Sequence, residues 1–165
     1  YNQLGYLKPV YSIIRPFNFI GPNIDFLLDE HEGIPRVFSF FMDALMKGTK
    51  MELVDGGSQR RSYTYIDDCI RGTRMVTDSD ILYPINLGSS ELVTVDELVD
   101  SVEQVAGLKL KRRYILDAPR GVSGRNSDNT NIRKELGWEP TIPFRQGIEL
   151  TYAWIYDQYC LRAKR

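Results

Sequence analysis

From Val10 to Pro22 the chain reads Val-Tyr-Ser-Ile-Ile-Arg-Pro-Phe-Asn-Phe-Ile-Gly-Pro, and this stretch constrains the fold more than any other. Val10 to Ile14 is apolar and partly β-branched, as a buried parallel strand should be. Pro16, Gly21 and Pro22 then oppose its continuation, because proline offers no N–H to a ladder. Asn18 is therefore expected in a turn at the carboxyl end of a strand, where open α/β sheets bind ligands. The competing reading is a strand and loop in which Asn18 makes only a local turn bond.

The rest of the chain alternates strand and helix patterns. Asn23 to Gly33 reads as a polar, acidic loop holding the single histidine, His31. Pro35 suits the first turn of a helix running to about Lys47, with Val37, Phe38, Phe41 and Leu45 on one face and Gly48 as its stop. Met51 to Val54 reads as a strand and Asp55-Gly56-Gly57-Ser58-Gln59 as a turn cluster. Arg61 to Ile66 reads as a further β segment, after which Asp67 or Asp68 caps a helix carrying Cys69, Ile70, Thr73 and Val76 inward. Tyr83 to Leu87 predicts a strand ending at Gly88. Thr94 and Glu97 form a capping box ahead of Val95, Leu98, Val99, Val102 and Val105, which share one helical face that Gly107 ends. Leu108 to Ile115 alternates apolar and basic residues, as a half-exposed strand does. Pro119 to Asn129 is turn-forming. A short helix over Asn131 to Leu136 stops at Gly137, and a last helix from about Phe144 carries Ile148, Thr151, Tyr152, Ile155 and Tyr159 inward. This order predicts an α/β fold with parallel pairing in a single unit, without repeats or linkers.

Composition removes several functions. Lys and Arg number 21 against 22 acidic residues, so the net charge of −1 gives no general attraction to nucleic acid or anionic membrane. Lys109, Lys111, Arg112 and Arg113 alternate with leucines and read as a solvated strand face rather than a nucleic-acid patch. Cys69 and Cys160 form neither a disulfide framework nor a metal-ligand spacing, and His31 stands alone, so no metal site is expected. Two unpatterned cysteines fit a reducing cytosol, no run is long enough to span a membrane, and no signal peptide is visible at the start. A start without Met suggests a piece of a longer chain.

Three arginines stand on loops: Arg61 after Asp55-Gly56-Gly57, and Arg120 and Arg125 within Pro119 to Asn126. Planar guanidinium groups on glycine-containing loops suit a diphosphate, so a phosphate-bearing small molecule is the natural ligand. Pairing of each with a nearby carboxylate, such as Asp55, Asp117 or Asp128, is the alternative. Ser62-Tyr63-Thr64-Tyr65 has hydroxyls but no adjacent base for nucleophilic catalysis. The chain has no Gly-x-Gly-x-x-Gly, and none of its 10 tyrosines has a lysine four residues later, so a tyrosine–lysine hydride-transfer site cannot be built from it.

Five ordered motifs carry a resemblance: Arg15-Pro16-Phe17-Asn18 with Gly21-Pro22; Asp55-Gly56-Gly57 with Gln59 and Arg61; Tyr65-Ile66-Asp67-Asp68; Asn86-Leu87-Gly88; and Leu136-Gly137-Trp138-Glu139-Pro140. Together they resemble the carboxyl-terminal half of the extended short-chain dehydrogenases, the NAD-dependent nucleotide-sugar epimerases, dehydratases and decarboxylases. The part up to Ile70, especially Arg15 to Asp25 and Gly33-Ile34-Pro35-Arg36-Val37, is similar to UDP-glucuronate decarboxylases and UDP-apiose/UDP-xylose synthases. Gly124 to Thr130 and the tail through Ile155 are similar to GDP-mannose 3,5-epimerase.

The resemblance implies the C-terminal part of a Rossmann-like NAD(P)-binding fold with its smaller substrate-binding subdomain, cut off after the catalytic helix. It also implies that Asn18 hydrogen-bonds the diphosphate or sugar of a UDP- or GDP-sugar, that Arg61 clamps the diphosphate, and that Glu52, Leu53, Val54, Asp55, Gly56 and Gly57 line the nucleotide with Arg36. Arg125 matches the proton donor of the decarboxylases, Arg120 a second phosphate-binding arginine, and Pro16 and Phe17 would lie near the nicotinamide. The glycine-rich NAD loop and the Tyr/Lys pair belong to the family's other half, so NAD binding and turnover are expected only of a longer parent, which family precedent makes a homodimer and the cysteine usage places in the cytoplasm. UDP-glucuronate decarboxylation leads among the implied activities, with GDP-mannose-type epimerisation beside it. A binding or interaction module without chemistry is the reading from another class.

Overall fold

The computed structural model describes residues 11–23, 40, 43, 44, 47–117 and 122–163. Four of its five strand pairings are parallel. β1 (Ile14–Pro16) pairs with β6 (Ile85–Leu87), and β2 (Asn18–Ile20) pairs with β5 (Tyr63–Tyr65). The expected strand is thus displaced toward Pro16, and Asn18 opens a second strand instead of sitting in a turn. The ladder explains why Pro16 is tolerated. Ile85 N–H donates to the Ile13 carbonyl and Phe17 N–H to the Leu87 carbonyl, so the missing N–H of Pro16 faces away from β6. Gly21 then ends β2 at φ 145°, where a Cβ would come within 2.4 Å of Ile66 Cγ2.

β3 (Lys50–Val54) runs parallel to β8 (Lys111–Ile115) and leads into a 3-10 turn, Asp55–Gly57, in which Gly56 and Gly57 adopt φ of 63° and 72°. β4 (Arg60–Arg61) sits between β7 (Val93–Thr94), antiparallel, and β9 (Gly124–Arg125), parallel. Ser62 alone separates β4 from β5, so the chain changes sheets there. Phe40, Asp43, Ala44 and Lys47 are helical and Gly48 follows at φ 64°, as expected for that helix's end; its expected start at Pro35 and the His31 loop lie outside the described residues.

Four helices complete the described chain: α1 (Ile66–Thr77), α2 (Val95–Ala106), α3 (Thr130–Leu136) and α4 (Phe144–Ala163). The capping box of α2 forms as expected, Glu97 N–H donating to Thr94 Oγ1 at 3.0 Å and Thr94 N–H to Glu97 Oε2 at 2.7 Å. Leu98, Val99 and Val102 behind it are fully buried, and Gly107 closes the helix in the left-handed region. Gly137 does the same for α3. Helix α1 departs from expectation. Tyr65 is its N-cap residue with no side-chain cap, and Ile70 is 59% exposed, because one residue beyond Cys69 rotates about 100° off the face made by Asp68, Cys69, Gly72 and Val76. Tyr159 is also exposed: its end of α4 extends beyond the core that buries Ile148, Thr151 and Ile155.

Strand β2 is buried on both faces, as parallel strands are. Ile20 enters a cluster with Leu53, Tyr63, Leu98, Val102, Phe144 and Ile148, whereas Phe19 packs against a second cluster of Cys69, Val76, Ile85, Leu87, Ile132 and Trp138. Buried carboxylates clamp these layers. Asp68, 2% exposed, accepts from Arg71, from the Thr141 amide and hydroxyl, and from the Ile142 amide. Trp138 Nε1–H donates to the Asp68 carbonyl, and the Arg71 guanidinium lies over the indole. Gly72 has to be small, since a Cβ would meet Leu87 Cδ1 at 2.3 Å.

A second carboxylate cluster corrects the expectation of a uniformly solvated basic strand. Lys111 and Arg113 are exposed, but Arg112 turns inward onto Asp96, Asp100 and Glu103 of α2. Glu103 also accepts from Lys109 and from the Leu110 amide. Burial would raise the pKa values of Asp68 and Glu103, yet the hydrogen bonds and cations at each outweigh it and hold both carboxyls below their usual range.

Both groups stabilise the native state fully above their unfolded pKa values, near ~4, and that stabilisation is lost as pH falls through the lower native values. Urea unfolding at neutral pH is expected to show a loss of about 3 kcal/mol for Asp68→Ala, because the Thr141 and Ile142 amides lose their acceptor and Arg71 its counter-ion. The deficit relative to wild type should shrink as pH is lowered toward 3. A deficit independent of pH would mean that the Asp68 charge is not what holds the clasp.

Candidate functional site

The ladder between β4 and β9 joins two distant parts of the chain. Arg60 N–H donates to the Ser123 carbonyl at 2.8 Å and Ser62 N–H to the Arg125 carbonyl at 3.1 Å, which sets Arg61 opposite Arg125. Residues in register on neighbouring strands extend to the same side of the sheet, so both arginine side chains leave from one face. The Arg61 guanidinium donates to the carbonyls of Arg60 and Val122 at 2.7 and 2.8 Å and to Gln59 Oε1 at 3.0 Å. The Arg125 guanidinium lies over the Phe17 ring, 5.6 Å from its centroid. Among the described residues neither pairs with a carboxylate. Asp128 instead accepts from the Thr130 amide and hydroxyl, which hold its carboxyl below the usual range.

Asn18 joins this group through the crossover, its Nδ2–H donating to the Ser62 carbonyl at 3.2 Å. Asn18, Arg61 and Arg125 therefore gather around Ser62. The Ser62 residue itself is fully buried, and its hydroxyl has no partner among the described residues. Arg36 and Arg120 lie outside the described residues.

Residues that the sequence reading treated as mere turn formers hold β9 in place. Ser127 N–H donates to the Ser89 carbonyl at 3.1 Å, Asn126 Nδ2–H to the Ser90 carbonyl at 3.0 Å, and Asn129 Nδ2–H to the Gly88 carbonyl at 2.8 Å. Ser127 Oγ–H donates to Asn129 Oδ1 at 2.6 Å, and both residues are buried. The run Asn126-Ser127-Asp128-Asn129 thus fastens the base of Arg125 to the end of β6. The run reads as a polar turn in the sequence, since its anchoring partners at Gly88, Ser89 and Ser90 are some 36–41 residues away.

Beside Arg61 lies a cleft of about 680 Å³, lined by Phe40, Asp43, Thr49, Lys50, Glu52 and Gln59 among others. That volume is within the range of small-molecule sites, roughly 300–1,000 Å³. Gln59 lines the cleft and also accepts from Arg61, so this one side chain touches both the cleft and the arginine. Of the expected nucleotide-lining segment, Glu52 and Leu53 both line the cleft; Glu52 is exposed and pairs with Arg113 at 3.3 Å, and Leu53 also reaches into the core at 1% exposure. Gly57 packs against Asp96, at the start of α2. No group of His, Cys, Asp and Glu among the described residues is placed to hold a metal ion, and no described helix is long and apolar enough to cross a membrane.

A model of the NAD dependent epimerase/dehydratase family matches residues 6–88. GDP-mannose 3,5-epimerase of Arabidopsis thaliana is 38% identical over 120 residues, which cover 73% of this chain and 32% of that protein. UDP-glucuronic acid decarboxylase 5 of the same plant is 29% identical over 138 residues, covering 84% and 39%. The chain therefore spans between about a third and two fifths of these relatives. Among solved structures, UDP-glucose 4-epimerase of Thermotoga maritima, crystallised with UDP-glucose, superposes with a TM-score of 0.80 at 23% identity, over 90% of this chain and 47% of that one. The fold is accordingly that of the Rossmann-like epimerases, as the sequence resemblance implied.

Removing the amide of Asn129 is expected to loosen the loop that anchors Arg125. For Asn129→Ala, chemical denaturation should register a loss of about 1–3 kcal/mol, since Ser127 Oγ–H and the Gly88 carbonyl lose their partner. Amide hydrogen exchange at Ser127 should accelerate more than at Leu98 in the core. Equal changes at both positions would show a global effect and no local anchoring.

Proposed function

The chain belongs to the NAD-dependent epimerase/dehydratase family, and on that premise we propose that it is the nucleotide-sugar-binding half of an enzyme that remodels a sugar through transient oxidation at C4. The observation that carries this reading is the in-register pair Arg61 and Arg125, fixed on adjacent strands without carboxylate partners among the described residues. Like charges so placed cost stability, and a diphosphate relieves that cost while matching the planar fork of each guanidinium. The adjoining cleft then receives the nucleoside, against Glu52 and Gln59.

NAD, when bound, supplies reversible oxidation of the sugar alcohol at C4. This chain has no Gly-x-Gly-x-x-Gly loop, and the residues we assign near the nicotinamide, on the strength of the family resemblance, are Pro16 and Phe17 at the carboxyl end of β1. The chain's own part is to bind and orient. Asn18 fixes the diphosphate or sugar, Arg61 anchors the diphosphate, and Arg125 places a cation beside the ring, where it stabilises the enolate left when a proton or carbon dioxide departs and returns a proton to it.

For the sugar chemistry we favour epimerisation of a GDP-hexose, supported by the 38% identity to a GDP-mannose 3,5-epimerase. A second reading, decarboxylation of UDP-glucuronate, is supported by the likeness of Arg15 to Asp25 to that branch and by Arg125 occupying the position of its proton donor. Both activities are proposed for a cytosolic homodimeric enzyme larger than the present chain. A binding module without chemistry predicts retention of the nucleotide sugar with no turnover.

Incubating the intact enzyme with GDP-mannose in D2O should place deuterium at the carbons flanking C4, whereas UDP-glucuronate should release carbon dioxide if the second reading holds. Arg61→Ala is expected to raise KM for the true substrate by roughly tenfold or more, because a charge-assisted contact to the diphosphate is lost. An unchanged KM for both nucleotide sugars would remove Arg61 from the site and refute the assignment.

A further inference from the structure

Phe17, from the Arg15-Pro16-Phe17-Asn18 motif, lies beside Arg125, and its contacts bear on where that cation stands. Phe17 lies between β1 and β2, and both neighbouring strands are paired, so its backbone has little freedom. Its N–H donates to the Leu87 carbonyl at 3.1 Å. The side chain rests on Gly88: a Cβ there would lie 2.8 Å from Phe17 Cβ and 3.0 Å from Cδ2. Gly88 has no positive φ that would demand glycine, so the residue type answers to this close approach. Asn129, which anchors the Arg125 loop, donates to the carbonyl of the same Gly88.

Arg125 is thereby held at both its backbone and its side chain. Its carbonyl accepts from Ser62 N–H, and its guanidinium lies over the Phe17 ring. A carboxylate could fix the guanidinium equally well, but it would neutralise the charge and compete with an incoming anion. An aromatic face attracts a cation through its quadrupole and leaves the net charge intact.

We propose that Phe17, seated on Gly88, is a positioning residue that holds the Arg125 guanidinium at a fixed height, charged and ready for the substrate. The proposal rests on Arg125 as the substrate-facing cation. It assigns the Asn86-Leu87-Gly88 motif a task at the site: Gly88 supports the ring from below and ties down the loop that carries the arginine. Preorganisation of this kind lowers the ordering cost that a long, exposed side chain would otherwise incur on binding.

The test uses Phe17→Leu, Phe17→Tyr and Arg125→Lys in the intact enzyme. In side-chain 15N–1H spectra the Arg125 Nε–H resonance should carry a ring-current shift in wild type and in Phe17→Tyr, and lose it in Phe17→Leu. Phe17→Leu should lower kcat/KM by about threefold to fivefold, the worth of an exposed cation–π contact, with Phe17→Tyr restoring it. Combining Phe17→Leu with Arg125→Lys should cost no more than Arg125→Lys alone, as for residues acting through one group. An Arg125 resonance unmoved by Phe17→Leu, or losses that multiply in the double variant, would overturn the proposal. A wild-type enzyme inert toward every nucleotide sugar would instead sink the functional reading, while the resonance would still report whether the ring holds the arginine.

Discussion

The two-residue ladder that sets Arg60–Arg61 beside Gly124–Arg125 is the contact on which the site depends. So short a pairing has too few hydrogen bonds to persist alone, and isolated two-stranded structures are marginal in water. It survives because both strands are fastened from outside the ladder. Val122 contributes its carbonyl to Arg61, Gln59 adds an amide oxygen, and the Asn126–Asn129 run is bonded to Gly88, Ser89 and Ser90. The site is thus a meeting of three chain segments, each stabilised by the others.

Charge is distributed unevenly between scaffold and site, and that division explains how cations stand without carboxylates, among the described residues, where they are needed. In the scaffold, Arg71 and Arg112 are matched to carboxylates: Asp68 for the first, and Asp96, Asp100 and Glu103 for the second. These pairs set the positions of α1 against the loop before α4, and of α2 against β8. At the site, Arg61 and Arg125 are held by carbonyls, an amide and an aromatic ring, none of which cancels charge. Neutral restraint keeps an anion-binding potential, whereas ionic restraint would quench it.

The sequence made the helices and the parallel pairing legible because their causes are local. Thr94 and Glu97 cap α2 through bonds three residues apart, and Gly107 and Gly137 end helices by a conformation that glycine adopts freely. Misreadings arose where a tertiary partner decided. Pro16 stands in a strand because its ladder partner lies on one side only, Ile70 is turned outward by the rotation of α1, and Arg112 is drawn inward by carboxylates of α2. The motifs also sorted differently in space than in the sequence. Asp68 and the Leu136–Pro140 segment bond to each other in a clasp, whereas Gly88 supports Phe17 at the site. The anchoring roles of Gln59, Ser127 and Asn129 were hidden because a polar turn and a polar anchor have the same composition.

The claim at the centre is that the paired guanidinium groups recognise the diphosphate, with the nucleoside a lesser contributor. Isothermal titration of GDP against guanosine, and of UDP against uridine, measures that claim directly. The account predicts that the favoured diphosphate binds at least ~100-fold more tightly than its nucleoside, as charge-assisted bidentate contacts require. Nucleoside and diphosphate binding with equal affinity would contradict it.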